Sequence, residues 1–494
     1  MGSRSNMKVL RPEQCVVDGK LCAACTEDIE FEQEINKIEK QIKELESRLK
    51  RVRIKRRALR TAMNENHDSL IHQFPPEIVS HIFIQYSPPA VCFDKFNENP
   101  LYLGAVCQKW RQLAWAMPGL WTSLHVRCPQ TGEYDDNLPR LVNEWLKRSA
   151  SLPFTIRVDD YWGWADVNDE ALHILATHSA RWRDVHFDLS ARHLHRLSGS
   201  SQGNILRRLA LCHSYYGTCH FSIFSMKSKP SPTDLTLQTV GLQYVDIAWN
   251  NPTVASVYNI GIDECFELIR RAPLLETLRL QSINLSSSVF AIPSTRMICP
   301  HLHLLELSKI KEGRLAQILD SLCLPSLKQW IHDQSPFLLD NMMSFVGCLS
   351  STCLKIFKIS IDMVDYQQVA RFLSHLSSLE FLELRSIHCS PTDGLFSLLC
   401  ASTKSPAFLP HLQSLEFLCN FGFPWDFLPQ IFSLSCWKAL RVKVNIRVGD
   451  LYSDEENAKL LLELVDKGLD LSIIQRGKFD LLQEYREGSA SSDE

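Results

Sequence analysis

Several features that assign a protein to a class are missing from this sequence. It has no run of eighteen apolar residues, and residues 1–14 lack the apolar stretch of a signal peptide, so we expect neither a membrane span nor secretion. The net charge of −3 gives no overall attraction to nucleic acid or anionic membranes. The 17 cysteines are odd in number and irregularly spaced, which favours reduced thiols in the cytoplasm, the nucleus or both.

Catalytic signatures are also missing. There is no glycine-rich phosphate loop with Lys-Ser/Thr, no G-x-S-x-G, no H-E-x-x-H and no kinase motif set. Cys22-x-x-Cys25 lacks the second pair of a zinc site, and Cys212 and Cys219, each followed by histidine, fall in a loop-like insertion. We therefore expect no enzyme activity, no metal and no cofactor.

The chain of 494 residues has 45% hydrophobic and 22% charged residues, which is typical of globular proteins and long enough for several domains. Composition and patterning divide it into five parts, with an α/β fold class overall. They are a disordered N-terminus (1–26), a long helix (27–66), a small all-helical domain (67–125), an α/β repeat region (126–480) and a disordered tail (481–494).

The long helix is predicted from a heptad pattern that contains no glycine or proline. Three pairs support it at i,i+4 spacing: Glu39 with Lys43, Glu44 with Arg48 and Glu46 with Lys50. The apolar seam is broken at residue 56 and consists of Phe31, Ile35, Ile38, Ile42, Leu45, Leu49, Val52 and Leu59. Such a seam needs a cover, and both self-association through residues 31–59 and docking on the chain itself remain open.

The second half of this helix, Arg48–Arg60, contains eight cations and no acid. Nuclear import or nucleic-acid contact would use such a segment. A solvated helix face is the simpler interpretation, and it is the one that we expect.

Two helices are predicted in the small domain, at 77–86 and 101–117, with a proline-rich loop (87–100) between them. Three segments follow in order: Phe74-Pro75-x-Glu77-Ile78-x-x-x-Ile82-Phe83, Val106-Cys107-x-x-Trp110-Arg111-x-Leu113-Ala114 and Pro118-x-Leu120-Trp121. Together they resemble the F-box, in particular the F-box-like proteins expanded in fungi. Phe74 departs from the commoner leucine, and the proline-rich loop is a second departure.

This resemblance implies docking on a Skp-type adaptor of a cullin-RING ubiquitin ligase. The apolar face would be too large for so small a domain to bury alone. The residues implied in adaptor binding are Phe74, Pro75, Ile78, Ile82, Phe83, Val106, Trp110, Leu113 and Trp121. For Leu113 and Trp121, a place in the core of the domain itself is equally compatible with the sequence.

A repeat of the form L-x-x-L-x-L marks the third region. Strong copies begin at Leu275, Leu302, Leu327, Leu354, Leu379 and Leu412, and weaker ones at Trp182, Leu206 and Trp437. Helical segments fill many gaps, among them 262–272, 314–323, 365–376 and 453–468. The pattern predicts a strand and a returning helix per repeat, hence a parallel sheet. It resembles irregular leucine-rich repeats, and F-box proteins with such arrays form the F-box/leucine-rich-repeat class.

Because successive side chains of a strand point to opposite faces, we expect the leucines of L-x-x-L-x-L to point inward and the third and fifth residues of the repeat to point outward. The outward set that we propose for substrate binding is Leu304, Ile356 and Phe381 from the third position, with Arg279, Glu306, Lys358 and Glu383 from the fifth. A long loop or the C-terminal segment could instead cover the apolar members.

The resemblance thus implies a substrate-recognition subunit: the F-box holds the adaptor, the repeats hold an unidentified protein substrate, and other subunits catalyse. A protein-interaction scaffold without ubiquitination is the alternative. A nucleic-acid-associated dimer that uses Arg48–Arg60 is a third hypothesis, which we expect less.

Overall fold

The described part of the chain forms two compact units, one made of residues 16–86 with 100–120 and the other beginning at residue 121. The computed structural model describes residues 16–17, 20–21, 23–67, 70, 73–86, 100–127, 137–159, 168–197, 205–213, 224–349, 354–361, 365–386, 408–419, 428–429, 432, 440–446, 455–475, 479–480, 482–483 and 486. The boundary predicted after residue 125 therefore falls earlier, between 120 and 121. The predicted loop 87–100 and most of both predicted disordered ends lie outside the described residues.

The first unit is helical. Its helices are α1 (Ala23–His67), α2 (Pro76–Tyr86), α3 (Leu101–Val106) and α4 (Gln108–Trp115). The 45 residues of α1 confirm the predicted N-terminal helix. They span about 67 Å at about 1.5 Å per residue.

The three predicted ion pairs of α1 are not formed. Although all six side chains are described, none of these pairs has its charged atoms within 4.0 Å. Each partner is exposed on the helix surface, where water solvates the charges and little free energy is gained by pairing them.

The predicted single helix over 101–117 is interrupted at Cys107. Its backbone is extended (φ −152°, ψ 176°), which ends α3. Its Sγ accepts a hydrogen bond from the Trp110 N–H at 3.4 Å and so caps the start of α4. The periodicity of the apolar residues continues across the break, which is why the sequence alone predicted one helix.

One large sheet dominates the second unit. Fifteen described strands lie in it in chain order, and each is parallel to the next except the last pair, which is antiparallel. They are β1 (Ser123–Arg127), β2 (Phe154–Asp159), β3 (Trp182–Asp188), β4 (Arg208–Cys212), β5 (Asp234–Gln238), β6 (Val254–Tyr258), β7 (Thr277–Gln281), β8 (Leu304–Ser308), β9 (Gln329–Asp333), β10 (Ile356–Ser360), β11 (Phe381–Ser386), β12 (Ser414–Cys419), β13 (Arg441–Ile446), β14 (Leu471–Gln475) and β15 (Phe479–Asp480).

Helices connect many of these strands, and several neighbouring helices contact each other. They are α5 (Leu138–Arg148), α6 (Asp169–Thr177), α7 (Ala191–Arg196), α8 (Ile262–Arg271), α9 (Glu312–Ser321), α10 (Leu339–Val346), α11 (Tyr366–Leu373) and α12 (Glu455–Asp466). The predicted mixed α/β class with a large parallel sheet is confirmed. The four helical segments predicted in this region correspond to α8, α9, α11 and α12.

Inward side chains of successive repeats stack in register. The fourth position runs through Leu278, Leu305, Trp330, Phe357, Leu382 and Leu415, which pair strand to strand and are all 0% exposed. All six strong copies of the repeat form strands, as do the copies at Trp182 and Leu206. The copy placed at Trp437 is two residues out of frame, because Val442 pairs with Leu415 and the repeat therefore begins at residue 439.

The leucine template missed the repeats that form β1, β2, β5, β6 and β14. In β2, β5 and β6 the first position is occupied by Pro153, Pro232 and Pro252, as the strand register shows. Their inward positions are filled by side chains such as Ile156 and Ala255, which are equally buried. Burial, rather than leucine itself, is what the repeat requires.

The same turn follows five consecutive strands, β5 to β9. The residue just after each strand has a positive φ between 45° and 58°: Thr239, Asn259, Ser282, Lys309 and Gln334. For the first four of these residues, the N–H donates to the last residue of the next strand, at 2.8 to 3.1 Å. A repeated left-handed residue thus closes successive repeats in the same way.

Within the described residues, no helix has the length and apolar character needed to cross a membrane.

His332 occupies the inward sixth position of its repeat, where the other strong repeats place Leu, Ile or Phe. It is 0% exposed, and its Nε2 lies 3.0 Å from the Pro336 carbonyl oxygen, which fits a neutral ring donating there. Burial lowers the pKa of His332 to about 4.

This burial predicts an acid sensitivity of the second unit. Because the unfolded ring binds a proton near its ordinary pKa, stability is complete above pH 6.5 and is lost as the pH falls toward 4. We expect the free energy of unfolding to fall by about 2 kcal/mol between pH 7 and 5 through this group. In urea unfolding, His332→Phe should flatten this slope, whereas the exposed-site control His173→Phe should not. Equal slopes in all three chains would contradict the prediction.

Candidate functional site

An uncovered apolar stripe lies on α2 and the turn before it. Phe74, Ile78 and Ile82 follow one another at i,i+4 spacing and are 46%, 47% and 38% exposed. A neighbouring face of α2 is buried through Val79 and Phe83. A short helix that buries one apolar face and leaves another in solvent indicates a surface for a partner.

Other members of the predicted adaptor-binding set lie around the stripe. Pro75 is exposed at the start of α2, and Val106 is 44% exposed at the end of α3. Leu113 on α4 is half-buried. These positions leave Pro75 and Val106 accessible to a partner.

Two members of that set, Phe83 and Trp121, are core residues instead. Phe83 is 1% exposed, and its ring centroid lies 4.8 Å from that of the half-buried Trp110, so this pair holds α2 on α4. Trp121 belongs to the second unit, where it is fully buried, edge-to-face with Trp145 at 4.9 Å and stacked by Arg148. The burial of Phe83 and Trp121 removes these two residues from the contact surface, whereas Trp110 is only half-buried.

A second candidate surface is the outward face of the large sheet in β7–β12. The predicted third- and fifth-position residues lie in two adjacent rows, each joined strand to strand by the register. Most of them are half-buried. Glu383 is the exception, at 7% exposure.

Charged side chains of this face form a network across the strands. One carboxylate oxygen of Glu383 lies 2.6 Å from Lys358 Nζ, and the other lies 2.6 Å from Arg385 Nε. A second nitrogen of Arg385 lies 3.4 Å from the Asp333 carboxylate. Burial alone would raise the pKa of the Glu383 carboxyl, but the hydrogen bonds from Lys358 and Arg385 outweigh it and hold the pKa below its ordinary value. Glu383 therefore stays ionised and fixes its neighbours in place.

The apolar residues of the face do not form one continuous row. Ile356 and Phe381 are direct neighbours, whereas Gln329 separates Leu304 from Ile356. The ammonium of Lys358 lies 5.2 Å from the Phe381 ring centroid. The outward face thus offers one apolar pair beside a fixed charged network, with Leu304 two strands away, or roughly 10 Å.

Sequence reasoning missed a polar cluster on β1–β3. Asp159 accepts hydrogen bonds from Arg157 Nε at 2.8 and 2.9 Å and lies 2.8 Å from His125 Nε2, with His186 at 3.8 Å. Burial raises the pKa of Asp159, but the bonds from His125 and Arg157 bring it below its ordinary value. The cluster went unnoticed because these strands lack the leucines that revealed the other repeats, and within the described residues it ties strands together.

The cysteine-histidine clusters show no metal site in the described residues. Cys212 lies at the buried end of β4, where burial raises the pKa of its thiol to about 12. The ring of His213 contacts the Leu189 carbonyl. No group of three potential ligands is present in the described residues, and Cys22 and Cys219 lie outside them.

The basic half of α1 lines a cavity of about 890 Å³ with α3 and α4. The cations around it are Arg53, Arg56, Arg57, Arg60 and Arg111. Arg111 is held by the Gly104 carbonyl at 2.8 Å and lies over Trp115. None of the four α1 arginines has a carboxylate within 4.0 Å in the described residues, so this positive charge is uncompensated.

Comparison with known proteins gives no match: no family model fits the chain, and no curated protein is significantly similar to it. The resemblance to F-box proteins therefore rests on the residues of this chain.

Proposed function

We propose that this chain is a substrate-recognition subunit of a Skp-cullin-F-box type ubiquitin ligase, acting in the cytoplasm, the nucleus or both. The observation that carries the proposal is the uncovered stripe of Phe74, Ile78 and Ile82, set within the segments that resemble the F-box. In this proposal the stripe, Pro75 and Val106 dock on the Skp-type adaptor.

The contact between Phe83 and Trp110 supports a docking role for the exposed stripe. This contact packs α2 against α4 through the buried side of α2. The exposed stripe does not take part in that packing and is therefore accessible to a partner. Apolar surface that a small unit leaves in water is stabilised when a partner buries it.

The second unit would be an irregular leucine-rich-repeat-like solenoid that holds a protein substrate. Strands in strict chain order, a recurrent left-handed turn and helices between the strands support this architecture. The substrate would lie on the outward face, with Ile356 and Phe381 as apolar contacts and the ionised network of Glu383 for polar ones.

Catalysis would then belong to other subunits of the ligase. One chain that binds both the adaptor and the substrate raises the effective concentration of substrate lysines near the ubiquitin carrier. No covalent chemistry is needed from this chain. In the alternative, a scaffold without ubiquitination, the sheet would hold a protein partner in the same way, while the α2 stripe binds the adaptor or nothing.

Charging the α2 stripe should remove adaptor binding. We expect the intact chain to co-purify with a recombinant Skp-type adaptor and Pro75→Ala with Ile78→Asp to lose at least about 90% of it, since a buried carboxylate without a partner is costly in an interface. Ile54→Asp, at a 60% exposed site on α1, is the matched control and should bind normally. If neither the intact chain nor the control binds the adaptor, the ligase proposal fails and the scaffold alternative takes its place.

Charging the apolar pair of the sheet should remove substrates while the adaptor remains. For Ile356→Glu with Phe381→Glu, we expect ubiquitinated partners found with the intact chain to be lost, because two carboxylates would be desolvated in the contact. The control Thr277→Glu with Ser414→Glu charges polar positions of the same row and should keep them. Circular dichroism checks that the variant is folded. An unfolded variant would show that Ile356 and Phe381 belong to the core. A folded variant that still binds the same partners would contradict the proposal.

A further inference from the structure

The apolar seam of α1 has no cover in the described residues. Its apolar members are exposed along the whole helix, by between 48% at Ile38 and 66% at Leu59, and the same stripe continues to Met63 at 59%. The first unit contacts α1 mainly through α4, near the basic half. The apolar members of the seam are therefore exposed over about nine helical turns, and Arg56, within the seam, faces the cavity next to α3 and α4.

The seam sets a heptad frame in which the flanking positions can be read. Ile35, Ile42, Leu49, Arg56 and Met63 fall at a, and Phe31, Ile38, Leu45, Val52 and Leu59 at d. The e positions are then Glu32, Glu39, Glu46, Arg53 and Arg60, and the g positions are Glu34, Gln41, Arg48, Lys55 and Ala62. In two-stranded coiled coils these flanks decide the orientation of the partner.

A second copy in parallel orientation meets like charges. Parallel pairing brings each g residue against the e residue of the next heptad. The resulting pairs are Glu34 with Glu39, Gln41 with Glu46, Arg48 with Arg53 and Lys55 with Arg60. Three of these four pairs repel, each occurs twice in the dimer, and two copies of Arg56 would face each other inside the seam.

A second copy in antiparallel orientation meets opposite charges. When Leu45 lies opposite Leu49 of the second copy, every a residue faces a d residue of the other chain. These layers run from Phe31 opposite Met63 at the ends to Leu45 opposite Leu49 at the centre. The e flanks then pair Glu32 with Arg60 and Glu39 with Arg53, and each pair occurs twice. The like pairs, Glu46 with Glu46 and Arg48 with Arg48, occur once each at the centre.

We propose that α1 binds a second copy of this chain as an antiparallel two-stranded coiled coil through residues 31–63. The uncompensated arginines support this orientation independently. Arg53 and Arg60 line the basic cavity and have no carboxylate within 4.0 Å in the described residues. The second copy brings Glu39 and Glu32 to them. Arg56 would face Ile38 of the other copy, where one polar residue in the seam fixes the register.

A charge reversal distinguishes the two orientations by sign. In Arg53→Glu with Arg60→Glu, the antiparallel dimer gains four repelling pairs, whereas a parallel dimer would gain four attractive ones. We expect the dimer Kd of the full chain in sedimentation equilibrium to rise about a hundredfold. Lys43→Glu with Lys50→Glu makes the same charge change at outward-facing b positions and should leave the Kd within about threefold.

Mixing two charge-reversed variants tests the proposed pairs directly. Glu32→Arg with Glu39→Arg should also self-associate weakly, because the reversed residues then meet Arg60 and Arg53. Mixed with the Arg53→Glu, Arg60→Glu chain, it should form a heterodimer with a Kd near that of the natural chain, since all four flank pairs attract again. A natural chain that stays monomeric at tens of micromolar, tighter self-association after Arg53→Glu with Arg60→Glu, or no heterodimer on mixing would each overturn the proposal.

Discussion

The large sheet depends on one constraint, which is that the parallel register keeps two inward side chains of every strand stacked on those of its neighbours. Leu278, Leu305 and Trp330 illustrate it: they pair across successive strands and are wholly buried. A slip of one residue would turn these groups to water and bury the charged positions beside them. The residue after each of the strands β5–β9 has a positive φ, so these strands end at equivalent positions. This helps to keep the strands in the same register. With the inward positions committed to packing, the outward positions are free to differ, and this is where the apolar pair and the ionised network of Glu383 lie.

Much of this arrangement was predictable, because leucine pairs at alternate positions mark a buried strand face wherever they occur. Five repeats were missed because their residues do not match a leucine template: three of them have proline at the first position, and side chains such as Ile156 and Ala255 fill inward positions equally well. The cluster around Asp159 lay on those unrecognised strands, so its residues could not be assigned to one face. Side-chain depth was predicted least well. Phe83 and Trp121 match the same motif as Phe74 and Ile78, but only packing in three dimensions separates the buried residues of the motif from the exposed ones.

The first unit differs from the second in what it leaves uncovered. Its packing uses one face of α2, the contact of Phe83 with Trp110 and buried residues of α3 and α4 such as Leu103 and Ala114, while the stripe on α2 and the seam on α1 are exposed in the described part of the chain. Such surfaces cost free energy in the isolated chain and are stabilised when a partner buries them. Their different chemistry suggests different partners. The α2 stripe is apolar and carries no charge, so it suits a complementary apolar groove. The seam is flanked by acids in one half and bases in the other, which complement a reversed copy of the same helix.

Hydrogen exchange of the full chain, with and without a Skp-type adaptor, tests the assignment of the α2 stripe most directly. Amides become protected where a partner covers them or steadies the helix that carries them. We expect the adaptor to slow exchange in peptides covering residues 74–86 and 101–115 and to leave β7–β12 unchanged. Protection confined to the sheet, or adaptor binding that leaves residues 74–86 unprotected, would contradict the role given to the exposed residues of α2.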